Sequence, residues 1–224
     1  MNKKYIIISS LATCIILYFV EQVIGANYVV KTLAKVILFT LIPYLYVKII
    51  KKSTVAVELN FKKLDKKHLK LGFLLGISSF LIILVAYLLL GQYIDFSRIA
   101  SELQNKSKIT PTSFIFVGLY IIFGNSFLEE IFFRGFIFLS LYELKSKRLA
   151  YVYSSVLFGL YHIAIFKTWF NLGLIALALF GLVVVGFLFN WIDTKSENFI
   201  NSWIVHILAD SAIILIGFRM FKIL

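Results

Sequence analysis

Seven stretches of this chain are each long and apolar enough to cross the hydrocarbon of a bilayer, which takes about 20 residues in helical form. They cover 5–24, 33–50, 69–90, 113–142, 149–166, 172–192 and 199–218. The hydrocarbon offers no water to satisfy backbone groups, so runs of this kind fold as helices or not at all. The expected fold is an all-α polytopic membrane protein, a bundle of about seven helices, with six to eight allowed. The allowance comes from the fourth run, whose 30 residues exceed one perpendicular crossing and are expected to tilt, protrude or break near Gly124 or Gly135. With 61% hydrophobic residues, only 15% charged and a mean hydropathy of +0.93, the chain has no stretch polar enough for a second, soluble core. Residues 1–224 therefore read as a single membrane domain.

A net charge of +12 would suit a nucleic-acid partner if the charge were gathered on one polar face, but it is not. Eight lysines fall between 48 and 70, and most other basic residues lie between apolar runs. That is the distribution of a multi-pass membrane protein whose basic loops stay in the cytoplasm and meet anionic head groups. Membrane lipids are thus expected partners and nucleic acid is not. With the N-terminus inside, the inner segments carry fourteen basic residues and the outer ones eight, Lys31 and Lys35 among the latter. The expected location is the cell membrane with a cytoplasmic N-terminus. The stretch 59–71 alternates leucine and phenylalanine with lysine and reads as a basic amphipathic segment on the inner leaflet. Lys3 and Lys4 ahead of an apolar run, with Leu11-Ala12-Thr13-Cys14 beyond, loosely resemble a processing signal, but an uncleaved first span is the better reading. A single cysteine, Cys14, excludes an internal disulfide and any cysteine-built metal site.

Ionisable groups in hydrocarbon cost at least a few kcal/mol each and so mark function. Setting aside those within three residues of a run's end, six fall inside the runs: Glu129, Glu130, Arg134, His162, His206 and Asp210. At about 1.5 Å per residue, Glu129 and His162 lie roughly 20 Å from the inner ends of their runs, and His206 and Asp210 roughly 10 and 16 Å. Three helices thus carry polar groups to similar depths, as one shared site requires. Glu130 and Arg134, four apart, form a structural ion pair. Glu129, turned about 140° from Arg134 around a regular helix, is left to meet another helix. His206 and Asp210 are again four apart, and Gly159 allows close approach near His162. Asn125, Ser126, Tyr161 and Ser211 are further candidates for the cavity wall or for helix packing.

Two chemistries suit this set. Glu129 with His162 can draw a proton from water while His206 and Asp210 polarise a carbonyl or stabilise an oxyanion. Alternatively Glu129, His162, His206 and Asp210 ligate a divalent metal such as zinc with one position open for water. The His-Glu-x-x-His signature of zinc proteases is absent.

Glu129-Glu130-Ile131-Phe132-Phe133-Arg134, Phe158-Gly159-Leu160-Tyr161-His162 and His206-Ile207-Leu208-Ala209-Asp210 resemble, in order, the Glu-Glu-x-x-x-Arg, Phe-x-x-x-His and His-x-x-x-(Asn/Asp) motifs of the CPBP intramembrane proteases. This is the CAAX-prenyl-protease type II, Abi and bacteriocin-processing group, which includes lysostaphin-resistance proteins. The resemblance places a catalytic core at about 111–218, behind N-terminal helices in 1–110 that carry the basic loop 48–70. It implies hydrolysis of a peptide bond in a membrane-associated peptide or protein. Glu129 and His162 would activate the water, and His206 and Asp210 would form the oxyanion side. Members that trim prenylated tripeptides carry Asn where this chain has Asp210. The family is described both as metal-dependent and as glutamate-dependent, so a metal stays open. A composition rich in Lys, Ile and Phe suits an AT-rich bacterium, where peptide maturation or bacteriocin self-immunity is the expected setting. Two alternatives stand beside the protease: a non-enzymatic immunity protein and a small proton-coupled transporter.

Overall fold

A computed structural model of the chain describes residues 2–54 and 66–224. Seven helices among the described residues are long and apolar enough to span a membrane. They are α1 (Lys3–Val23), α2 (Tyr28–Lys51), α3 (Lys66–Tyr93), α5 (Pro111–Glu143), α6 (Lys147–Phe166), α7 (Leu172–Ser196) and α8 (Ile200–Met220). Between α3 and α5 lies a short amphipathic helix, α4 (Phe96–Asn105), which the apolar runs did not reveal. No strand occurs among the described residues. The amphipathic stretch expected at 59–71 falls outside the described residues up to position 65.

Local chemistry sets the helix starts. Asn27, Asp95 and Asn171 each cap a helix by accepting a backbone N–H three residues on, at 2.9–3.0 Å. Thr110 and Ser113 form a reciprocal capping box, with Pro111 in the first turn, where its missing N–H costs nothing. Because Asn27 starts α2 at Tyr28, five residues before the apolar run, Lys35 lies seven residues into the span rather than at its outer edge, where the charge pattern counted it.

The fourth run does not break. Residues 111–143 form one continuous helix that relaxes into wide π turns at Tyr120–Asn125 and Ile131–Leu139. Such turns shift the angular register of a helix and recur at functional sites; here they flank Ser126–Glu130, the turn that carries both glutamates. The helix runs through the centre of the bundle, with Phe132, Phe133, Phe136, Ile137 and Phe138 all buried. Phe39 of α2 stacks on Phe132 with ring centroids 4.2 Å apart, and Tyr161 of α6 closes the cluster. The exposed residues of α1, α2, α3 and α7 are largely Ile, Leu, Val and Phe, as a lipid-facing surface requires.

Glycines bring α6 and α7 together. A Cβ at Gly186 would stand 2.9 Å from the Ser155 Cα, and one at Gly159 would stand 2.9 Å from a Val183 methyl. Close approach through small residues is the main source of helix association in lipid. Beside Gly186, the Asn190 Nδ2 donates to Ser155 Oγ at 3.0 Å. Gly186→Val is therefore expected to force the two backbones apart and cost about 1–3 kcal/mol. Thermal unfolding in detergent checks this, with Gly181→Ala, where nothing lies within 4 Å, as the control that leaves stability unchanged.

Candidate functional site

The wide-turn helix α5, with α2, α6 and α8 around it, closes on Glu129. Its side chain is 1% exposed. One carboxylate oxygen, Oε2, lies 3.5 Å from His162 Nε2 of α6 and 3.8 Å from His206 Nε2 of α8. Asp210, one turn along α8, places Oδ2 3.6 Å from the same His206 nitrogen. Glu129 thus meets both histidines, and Asp210 joins the group through His206. Glu129 Oε2 and Asp210 Oδ2 are buried, and the nearest groups among the described residues are the imidazole Nε2 atoms at 3.5–3.8 Å.

Each imidazole is held from behind. His162 Nδ1 lies 2.8 Å from the Phe158 carbonyl, which can only accept, so Nδ1 donates there and Nε2 is the nitrogen that faces Glu129. Phe158 also packs edge-on against the ring, at 4.5 Å between centroids. That explains why the motif pairs these two residue types at a spacing of four. His206 Nδ1 lies 2.8 Å from Glu130 Oε1, and the other oxygen of Glu130 faces Arg134 Nε at 3.3 Å.

The expectation for Glu130 and Arg134 needs widening. They do form the ion pair, but Glu130 also positions His206 through the contact just described. Arg134 is fully buried, its guanidinium lying 4.0 Å from the Phe158 ring centroid and 4.8 Å from that of Phe189. Asp193 of α7, also fully buried, contributes to its electrostatic environment. Asp193 in turn accepts from the Ser202 hydroxyl at 2.8 Å and the Ser202 backbone N–H at 3.3 Å. Glu130 thus touches both Arg134 and His206, while Asp193, held by Ser202, acts on Arg134 through its field.

Of the further candidates, Asn125 is in the site, its Nδ2 donating to Glu129 Oε1 at 2.9 Å. Ser126 accepts from Trp203 Nε1 and donates back to the Ile122 carbonyl, and Ser211 donates to the Ile207 carbonyl; both are packing residues. Tyr161 packs among the aromatic residues. Lys35 was missed. Its ammonium lies 3.2 Å from Glu129 Oε1 and 2.5 Å from Asn125 Oδ1. The signal was its place seven residues into α2, about 10 Å along the helix, though a snorkelling lysine gives the same pattern. Asp193 was also missed, because the apolar run before it ended at residue 192.

The sequence also offered these four residues as metal ligands. No group of three or more His, Cys, Asp or Glu side chains among the described residues is disposed to hold a metal ion. One Glu129 oxygen faces an ammonium and an amide, and His206 Nδ1 is taken by Glu130.

Residues 111–212 match the family model described as Type II CAAX prenyl endopeptidase Rce1-like, a stretch that contains all three motifs. The chain is also 34% identical over 96 residues to the UPF0177 protein YxdF of Lactococcus lactis subsp. lactis (strain IL1403). That alignment covers 43% of this chain and 45% of the relative, so the chain spans less than half the length of the curated relative it matches. No solved structure matches the chain.

Proposed function

We propose that this multi-pass membrane protein is an intramembrane endopeptidase that hydrolyses a peptide bond with water activated by Glu129 and His162, a reading supported by the match of residues 111–212 to the Rce1-like family model. The observation that carries the proposal is the convergence of Glu129 Oε2, His162 Nε2 and His206 Nε2 within 4 Å, inside the apolar bundle.

The groups divide the work by their hydrogen-bonding capacity. A water held at Glu129 Oε2 gives its proton to that carboxylate as its oxygen attacks the substrate carbonyl carbon, while His162 Nε2 orients it. The carbonyl oxygen becomes an oxyanion and needs a donor. His206 serves when protonated on both nitrogens, with Nδ1–H given to Glu130 and Nε2–H to the oxyanion. Three carboxylates face that imidazole: Glu130, Asp210 and Glu129. In this scheme Asp210 acts as an acceptor that steadies His206, so a carboxylate serves where prenyl-peptide-trimming relatives carry Asn. Collapse of the intermediate breaks the C–N bond, and the departing amine takes the proton held by Glu129.

The substrate is a membrane-associated peptide or membrane protein, the membrane is the bacterial plasma membrane, and the N-terminus is cytoplasmic, as the basic loops favour. Peptide maturation or bacteriocin self-immunity is the setting suggested by the resemblance. The test is cleavage of a library of membrane-anchored peptides by the purified protein in liposomes. His162→Ala is expected to lower kcat by about 10²–10⁴-fold. Undiminished cleavage by that variant would refute the scheme. Immunity that persists in a host carrying a cleavage-dead variant would assign these residues to binding instead.

A further inference from the structure

The carboxylate of Glu129 has two distinguishable oxygens, and only one faces the imidazoles. The other, Oε1, is held by two donors from different helices: the Lys35 ammonium at 3.2 Å and the Asn125 amide at 2.9 Å. The donors are tied to each other, since Lys35 Nζ donates to Asn125 Oδ1 at 2.5 Å. The triangle closes over the face of Tyr161, whose ring centroid lies 5.3 Å from the ammonium. Tyr161 packs in turn on Phe39, one turn beyond Lys35 on α2. The lysine side chain is 17% exposed, so its ammonium is well withdrawn from solvent. Oε2 is left buried between the two Nε2 atoms, at 3.5 and 3.8 Å.

We propose that Lys35 is a positioning residue for the reaction, acting with Asn125 as a clamp that fixes one oxygen of Glu129 and presents the other to the water and the two histidines. The proposal rests on the endopeptidase reading for its catalytic part, while the Lys35–Glu129 coupling stands on geometry alone. Arg134 and Lys35 divide two consecutive carboxylates between them, Arg134 facing Glu130 and Lys35 facing Glu129. An uncompensated carboxylate in a low-dielectric interior is costly, and a paired one much less so. Two donors on Oε1 hold the plane of the carboxylate, so its other oxygen stays aimed at the two imidazoles. Lys35 lies outside the matched stretch 111–212, so an N-terminal helix completes a centre whose other members all lie in that stretch.

The experiment pairs a stability cycle with kinetics, using the full chain. Thermal unfolding in detergent is measured for wild type, Lys35→Met, Glu129→Gln and the double variant. Lys35→Met is expected to lower Tm clearly in the Glu129 chain and to have little effect in the Glu129→Gln chain, because the buried charge it strands is then gone. Equal Tm losses in both backgrounds would overturn the clamp. In liposomes, Lys35→Met is expected to lower kcat by about 10²-fold with KM within about twofold, and Lys35→Arg to recover at least a tenth of the lost rate. A raised KM with unchanged kcat would overturn the proposal by making Lys35 a substrate-binding residue. If wild type cleaves nothing, the endopeptidase reading fails, and the stability cycle still decides whether Lys35 is coupled to Glu129.

Discussion

Glu129→Gln is expected to keep the fold and abolish cleavage, lowering kcat by about 10³–10⁴-fold, at the upper end of what a general base supplies. The amide preserves volume and can keep its oxygen toward the Asn125 and Lys35 donors. It then turns an NH₂ group toward His162 Nε2 and His206 Nε2, where the mechanism needs an acceptor. Every contact that packs the site survives while the one lone pair that takes the proton is lost. Elution volume and Tm close to wild type, measured beside the lost turnover, separate this outcome from misfolding.

Glu130→Ala is expected to have the largest effect on stability. Glu130 serves two groups, Arg134 at 3.3 Å and His206 at 2.8 Å, and all its atoms are buried. Removing it leaves the fully buried guanidinium with two aromatic faces and the more distant charges of Asp193 and Glu129, and breaking a buried pair from one side costs about 3–5 kcal/mol. Replacing both partners by apolar residues, Glu130→Leu with Arg134→Met, should recover most of that loss, because no charge is stranded and Asp193 keeps its two donors on Ser202. Activity should not return. His206 would still lack the acceptor that fixes its Nδ1 proton, and loss of a properly held oxyanion donor costs about 10²–10³-fold. If the double variant regains both stability and turnover, Glu130 is a structural partner of Arg134 and nothing more.

The spans were legible in the sequence because hydrocarbon thickness sets a length that few other folds imitate. The seven apolar runs and the seven spanning helices agree closely. Glu129, His162, His206 and Asp210 were legible for a related reason: each is too costly in lipid to be incidental, and their matched depths implied one pocket. The separation of Glu129 from the Glu130–Arg134 pair also held, although α5 widens into a π turn beyond Glu130 and departs from the 100° rotation assumed per residue. Lys35 was hidden because a lysine near a helix end looks the same whether it reaches to head groups or into a site, and only the contact with α5 distinguishes the two. Asp193 was hidden at a run's edge, where a loop carboxylate and a buried one have the same sequence context. The second role of Glu130 depends on which face of α8 turns toward α5, and no spacing within either helix encodes that.

The central claim is that Glu129 turns a water molecule held among these helices into the nucleophile. Cleavage in ¹⁸O-labelled water, followed by mass spectrometry of the products, tests it directly. Wild type should place one ¹⁸O in the new carboxylate of the N-terminal fragment, and Glu129→Gln should yield no labelled product. Labelled product formed at wild-type rate by Glu129→Gln, or cleavage by wild type without label, would contradict the account.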